Sequence, residues 1–368
     1  MEIKSMFQME NRLIHGRTTI HEDGIVLFWP GSGIEFNLCT KELWIEIESS
    51  YSIYEPWISV EVDGAWISRQ ILPRGRHWIC ILSGMDAKRY RNVRILKDGQ
   101  PHREDGTHFL KLINIKMDGL QEKIQSPQMK LEFIGDSLTS GVGIIGAQCE
   151  ESEPGMIFGS VNTYSRILAK KLGADYRQVS QSGWGVYSGW NNDRTTVLSS
   201  VYEQICGVCD NELYKELGAL KKNNFEKWRP DYIIINLGTN DAAAFHHVPW
   251  TDTKGILHKQ RLETDGTPSM EDIYKFEQAV IALIKQVRKC NLESDIIWAY
   301  GMAGSFLSQA ISKAISNYQE KTADDRISFT ELPDTSKEQM GAKRHPGAKA
   351  HQNAAIHLTE FIKKINKH

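Results

Sequence analysis

Tyr232-Ile233-Ile234-Ile235-Asn236-Leu237 is a continuous apolar, largely β-branched run that stops at Gly238. A strand with one wet face alternates polar and apolar residues. A run without alternation fits a strand buried on both faces, as in a parallel sheet covered by helices. Two further runs read the same way: Leu131 to Ile134, ending at Gly135, and Ile296-Ile297-Trp298-Ala299-Tyr300. A shorter strand is predicted over Tyr176 to Val179. Apolar residues at helical spacing lie between and after these runs. Ile273, Phe276, Val280, Ile284 and Val287 form one set, and Ala354, Leu358, Phe361, Ile362 and Ile365 another. Strands alternating with helices predict βαβ units in a parallel sheet. Such sheets bind ligands outside the carboxyl ends of their strands.

The first third of the chain has a different texture. Leu43, Ile45 and Ile47 alternate with Trp44, Glu46 and Glu48. Ile58, Val60 and Val62 alternate with Ser59, Glu61 and Asp63. Period-two alternation predicts strands with one buried and one wet face. Pro30-Gly31-Ser32-Gly33, Asp63-Gly64, Asp98-Gly99 and Asp105-Gly106 punctuate these strands as turns. Short strands with frequent turns predict a β-sandwich, whose last strand lies near Phe109 to Ile115. The polar segment Asp118 to Gln128, with Gly119 and Pro127, is the expected linker. Domains are therefore expected over residues 1–125 and 129–368.

The length agrees, since 368 residues at roughly 150 per domain make about two. Hydrophobic residues at 40% and charged residues at 24% exclude a disordered or fibrous chain. A net charge of −2, with no Lys/Arg block, gives no footprint for nucleic acid. No apolar run approaches the roughly 18 residues of a membrane span. The segment Met1 to Glu10 lacks the apolar stretch of a secretory signal, so a cytoplasmic location is expected. Six scattered cysteines are too few for a disulfide scaffold. Cys206-Gly207-Val208-Cys209 has no second pair at zinc-finger spacing and reads as small buried residues. No metal or organic cofactor is expected.

Four segments carry candidate chemistry. Phe133-Ile134-Gly135-Asp136-Ser137-Leu138-Thr139-Ser140-Gly141 places Ser137 just past a buried strand, at the start of a helix. Its N–H and the helix dipole could face a developing oxyanion; alternatively Ser137 only caps that helix. Ser180-Gln181-Ser182-Gly183-Trp184-Gly185 follows another strand and offers glycine N–H groups at close approach. Asn236-Leu237-Gly238-Thr239-Asn240-Asp241 ends the run quoted first, and the Asn240 amide could donate to an oxyanion. Arg344-His345-Pro346-Gly347 puts a histidine on a loop before the last helix, where a general base could act. His246 and His247 could line the same cleft, whereas His351 and His357 fall within the last helix.

In this order the four segments resemble the SGNH (GDSL) hydrolase family over residues 129–368. The resemblance implies a flavodoxin-like three-layer α/β/α domain behind the β-sandwich. It implies Ser137 as nucleophile and His345 as base. The oxyanion hole would be built from the N–H groups of Ser137 and Gly185 and the Asn240 amide, with Gly183 two residues away as the other glycine. One position departs from the family's DxxH pattern: Ala342 stands where the acid belongs. The base must be oriented otherwise, by a backbone carbonyl or by Glu338, Asp334 or Glu331 reached through the fold.

The N-terminal segments Gly16-Arg17-Thr18 and Phe28 to Phe36 resemble the jelly-roll domain of carbohydrate esterase family 2. That family removes acetyl groups from xylan and related sugars, and several members use a Ser-His dyad. The implied activity is deacetylation of acetylated xylo-oligosaccharides or related sugars through a Ser-His acyl-enzyme. Two alternatives are another SGNH esterase, thioesterase or lysophospholipase, and a carbohydrate-binding protein with impaired catalysis. Trp184 and Trp250 suit sugar stacking near the motifs. The implied partner is an acetylated oligosaccharide, short and imported if the location is cytoplasmic, with no nucleic acid or membrane. The β-domain is expected to pack on the catalytic domain, with the cleft rim and homo-oligomer contacts as further roles.

Overall fold

The computed structural model describes residues 1–366. Two six-stranded antiparallel sheets face each other over the first third of the chain. Leu43, Ile45, Ile47, Ile58, Val60 and Val62 all enter the core between them, as the alternation requires. The face predicted to be wet is not wet throughout. Ser59 and Glu61 are buried because the second domain covers that face. Glu61 pairs there with Arg166, and Ser59 donates to Asp98 at 2.8 Å. The expected linker is also shorter than read, because Leu120–Glu122 forms an edge strand against Gly33–Cys39.

A five-stranded parallel sheet follows, in the order Asp175–Ser180, Lys130–Gly135, Tyr232–Asn236, Asp295–Gly301, Ile327–Leu332. Tyr232 and Ile234 pack with the helices Tyr164–Leu172 and Ala348–Ile365. Ile233 and Ile235 point the other way, into the helices Met270–Cys290 and Ser308–Thr322. Both faces are apolar, which is why the run has no alternation. Each fully buried isoleucine contributes about 1.5–3 kcal/mol. The chain order reverses between Lys130–Gly135 and Tyr232–Asn236, and α/β sheets bind ligands outside the carboxyl ends of their strands at such a switch point.

The two domains share a polar seam. Arg17 binds Glu132 at 3.0 Å and Gln204 O at 2.9 Å. His15 lies between Glu35 at 2.7 Å and Asp175 at 2.8 Å. The Trp29 indole donates to Ile205 O at 2.6 Å. At Gly31, with φ +72°, a Cβ would meet the Tyr176 hydroxyl at 2.5 Å, so only glycine fits there. The segments Gly16–Thr18 and Phe28–Phe36 thus serve the joint between the domains. A charge buried in such a seam is tolerated only while paired, and removing one partner costs about 3–5 kcal/mol.

Candidate active site

Ser137 is the first residue of a four-residue helix, Ser137–Ser140, at the end of Lys130–Gly135. Asp136, not Ser137, is the cap, since its carboxylate accepts the Leu138 N–H at 3.0 Å. The Ser137 hydroxyl is therefore free for another partner, and His345 Nε2 lies 3.0 Å from it. His345 Nδ1 is 2.8 Å from Lys343 O. A carbonyl only accepts, so Nδ1 carries the hydrogen and Nε2 presents its lone pair to the serine O–H. Burial disfavours the imidazolium and lowers the His345 pKa below its usual 6.5, while the Lys343 carbonyl partly opposes this.

The loop before His345 explains how a carbonyl replaces the acid. Lys343 and Arg344 have φ of +51° and +54°, a left-handed pair that turns the Lys343 carbonyl back under the imidazole. Such residues cost roughly 1–3 kcal/mol each and persist where their surroundings hold them. Here the Ala342 N–H donates to Gly143 O at 2.9 Å and the Lys343 N–H to Glu150 O at 2.6 Å. The Lys343 ammonium pairs with Glu153. Gly143 must be glycine, since a Cβ there would meet Ala342 O at 2.2 Å and His345 Cβ at 2.9 Å. Ala342 itself is fully buried with Val142, Ile157 and Phe158. A carboxylate at that position would be desolvated among apolar side chains. Glu338 bonds Ser336 and Asp334 bonds the Gly304 N–H, and the His345 ring hydrogen-bonds to neither of them nor to Glu331.

None of the other candidate histidines reaches Ser137. His247 lies edge-on to Trp190 at 4.3 Å between ring centroids, and His246 lies beside Phe306. His351 is buried and accepts the Tyr164 N–H at 3.1 Å. His357 bonds Thr330 at 2.7 Å.

Asn240 lies on the short helix Thr239–Ala244 beyond Tyr232–Asn236. Its Nδ2 is 2.9 Å from Trp184 O and 3.2 Å from Asp136 Oδ2, which places its amide between the Ser137 helix and the glycine loop. Burial, reinforced by the nearby Asp241 charge, raises the Asp136 carboxyl to about 7.

The glycine loop corrects the choice of Gly185. Its N–H donates to Thr196 O at 3.1 Å and is not free for a ligand. The neighbouring N–H groups point to Gly183 instead. Gln181 donates to Gly135 O at 3.1 Å, Trp184 to Gln181 O at 3.3 Å, and Ser182 to the Gln100 side chain at 2.7 Å. Among the described residues no acceptor takes the Gly183 N–H. Gly183 has φ +78°, which suits glycine. Gly185 is glycine for a different reason: a Cβ would meet Asp241 Oδ2 at 2.5 Å.

Asp241 was legible only as the last letter of the Gly238-Thr239-Asn240-Asp241 segment. It is fully buried and accepts the N–H groups of Val186, Tyr187 and Ser188 at 2.9, 2.7 and 3.0 Å. It ties the glycine loop to the helix that carries Asn240. Trp184 is buried and cannot stack a sugar. Trp190, 45% exposed and packed over Gly183, is the aromatic that faces outward beside this loop. Among the described residues no three His, Cys, Asp or Glu side chains gather as a metal site, and no helix is long and apolar enough to cross a membrane.

Residues 131–358 match the GDSL-like Lipase/Acylhydrolase family. An acetyl xylan esterase, Est2A, from the rumen bacterium Butyrivibrio proteoclasticus superimposes with a TM-score of 0.97 at 37% identity, covering 100% of this chain and 98% of that one. The cellulase/esterase CelE of Acetivibrio thermocellus is 24% identical over 91% of this chain. An acetylxylan esterase / glucomannan deacetylase of Cellvibrio japonicus is 32% identical over 35% of it. The chain spans 37% and 34% of the length of these last two relatives. With the family match covering well over half of its length, and with the serine and histidine of the family's motifs in contact at the sheet's carboxyl edge, the chain belongs to the GDSL-like lipase/acylhydrolase family.

Proposed function

We propose that the chain is a serine esterase that removes acetyl groups from acetylated xylo-oligosaccharides or related sugars. The observation that carries this reading is the 3.0 Å contact between Ser137 Oγ and a histidine whose tautomer is set by a carbonyl. His345 Nε2 takes the serine proton as Oγ attacks the acetyl carbonyl carbon. The carbonyl oxygen becomes an oxyanion and accepts from the N–H groups of Ser137 and Gly183 and from the Asn240 amide, where it replaces the longer of that amide's two present acceptors, Asp136 Oδ2 at 3.2 Å. The tetrahedral centre collapses, the C–O bond to the sugar breaks, and His345 returns its proton to the leaving sugar oxygen. Water, deprotonated by His345, then attacks the acetyl-enzyme. Acetate leaves and Ser137 regains its hydrogen. Every step is proton and acyl transfer between the chain's own groups, ester and water. The half-exposed Trp190 beside Gly183 offers a face on which a sugar ring can rest.

The test is acetate release across acetylated xylo-oligosaccharides, manno-oligosaccharides and simple sugars, alongside p-nitrophenyl esters of rising chain length. Acetyl esters are expected to exceed octanoyl esters in kcat/KM by about 10²-fold or more, and an acetylated oligosaccharide to lead the panel. A preference for long acyl chains or thioesters would sink the reading in favour of a lipase-like or thioesterase activity.

Asn240→Ala removes one oxyanion donor without touching the dyad. We expect kcat to fall by about 10²–10³-fold with KM little changed. Steady-state kinetics on p-nitrophenyl acetate check this, and a loss confined to KM would place Asn240 in ground-state binding instead.

A further inference from the structure

Gln100 belongs to the β-sandwich, in the turn between the strands Arg91–Lys97 and Phe109–Met117. It is 2% exposed, and its side-chain oxygen crosses the domain seam to accept the Ser182 N–H at 2.7 Å. Ser182 immediately precedes Gly183, whose N–H is the free one in the glycine loop. On the far side of Gly183, the Trp190 N–H donates to Gly183 O at 3.1 Å. The peptide that carries the free N–H is thus held on both flanks, and one of the two holds comes from the other domain.

The turn that carries Gln100 is itself fixed. The Lys97 ammonium donates to the carbonyls of Gly99 and Gln100. Asp98, fully buried, accepts from Ser59, from Arg69 at 2.6 Å, and from both the N–H and the hydroxyl of Ser160, which lies in the catalytic domain. Asp105 accepts three successive N–H groups, those of Ser52, Ile53 and Tyr54. Gln100 therefore meets Ser182 from a rigid mount rather than from a mobile loop tip. An oxyanion donor contributes only when it is aimed before the reaction begins, and a displacement on the order of 1 Å can cost about 10²-fold in rate.

From this geometry we infer that Gln100 is a positioning residue for the Gly183 N–H, so that the β-sandwich supplies part of the aim of the oxyanion hole. The inference rests on the esterase reading above. Without the Gln100 oxygen, the peptide that carries the Ser182 N–H keeps only the longer bond from the Trp184 N–H to Gln181 O at 3.3 Å, and the aim of the Gly183 N–H loosens. Binding of the ground-state ester, which does not depend on that donor, stays as it was.

The test is steady-state kinetics on p-nitrophenyl acetate for Gln100→Met, which keeps the volume but has no acceptor, and for Gln100→Glu, which keeps an acceptor oxygen. For the Met variant we expect kcat to fall about 10–100-fold with KM within about twofold of wild type. The Glu variant should recover kcat to within about fivefold of wild type. Asn114→Ala, which removes a 2.6 Å bond to Glu46 inside the β-sandwich, should leave kcat unchanged. A Met variant with wild-type kcat overturns the inference. So does a Glu variant no better than the Met variant, or an Asn114→Ala loss as large as either. If the Met variant does not fold, the Glu variant alone decides, since a folded Glu variant with a kcat loss beyond about fivefold also overturns it. Failure of the esterase reading looks different: there, replacing Ser137 leaves the hydrolysis intact whatever Gln100 does.

Discussion

Ser137→Ala is expected to lower the rate of acetyl ester hydrolysis by about 10⁴-fold or more. The reason is chemical. Without Oγ no acetyl-enzyme forms, and the remaining donors can only assist direct attack by water. The reason is also local, because the hydroxyl's partner is His345 Nε2 and Asp136 supplies the helix cap. Its removal takes no cap from the backbone and should change folding stability by no more than about 1 kcal/mol. The measurement is acetate release together with intact-protein mass after mixing with p-nitrophenyl acetate. Wild type should carry a transient acetyl group and the variant none. Near wild-type turnover by the alanine variant would remove Ser137 from the chemistry.

His345→Gln is expected to cost about as much as the loss of Ser137. The amide can still hydrogen-bond to the serine but cannot take up its proton. The two groups act as a unit, so the double variant should be no slower than the slower single variant. A product of the two losses would mean that they act in separate steps.

The pH profile of the wild type tests the carbonyl-held histidine. The base works in its neutral form, which prevails above its pKa. Burial lowers that pKa, and no carboxylate bonds Nδ1 to raise it. Activity should therefore persist into mildly acidic solution and fall only as pH drops through a midpoint below the ordinary 6.5. A midpoint above 6.5 would require an anion at the imidazole, contrary to the Lys343 carbonyl contact.

Much of this was legible in the residues. Ser137 and Asn240 each stand just past a run whose type was readable, and a strand's carboxyl end fixes where the next residue emerges; His345 was readable instead as a loop histidine before the last helical pattern. Gly185 was misjudged because two glycines two residues apart look alike in sequence. Which N–H is free depends on Thr196 and Gln100, and neither is near in the chain. Glu61 and Ser59 were read as wet because alternation reports a second face without saying what covers it. Trp184 and Trp190 are the same residue type, and only packing separates the core indole from the exposed one.

By itself the sequence determined the two textures and the residues brought to the sheet's carboxyl edge. Those are local properties: periodicity, turn residues, and where a strand must stop. The tertiary structure decided everything that depends on closure between distant segments. It placed the Lys343 carbonyl under His345 where an acid was missing, and buried Ala342 among apolar side chains. It left one glycine N–H free among bonded neighbours, and set Gln100 of one domain behind the reaction site of the other. A hydrogen bond forms with whatever acceptor the fold brings within 3 Å or so, and sequence distance does not enter that condition.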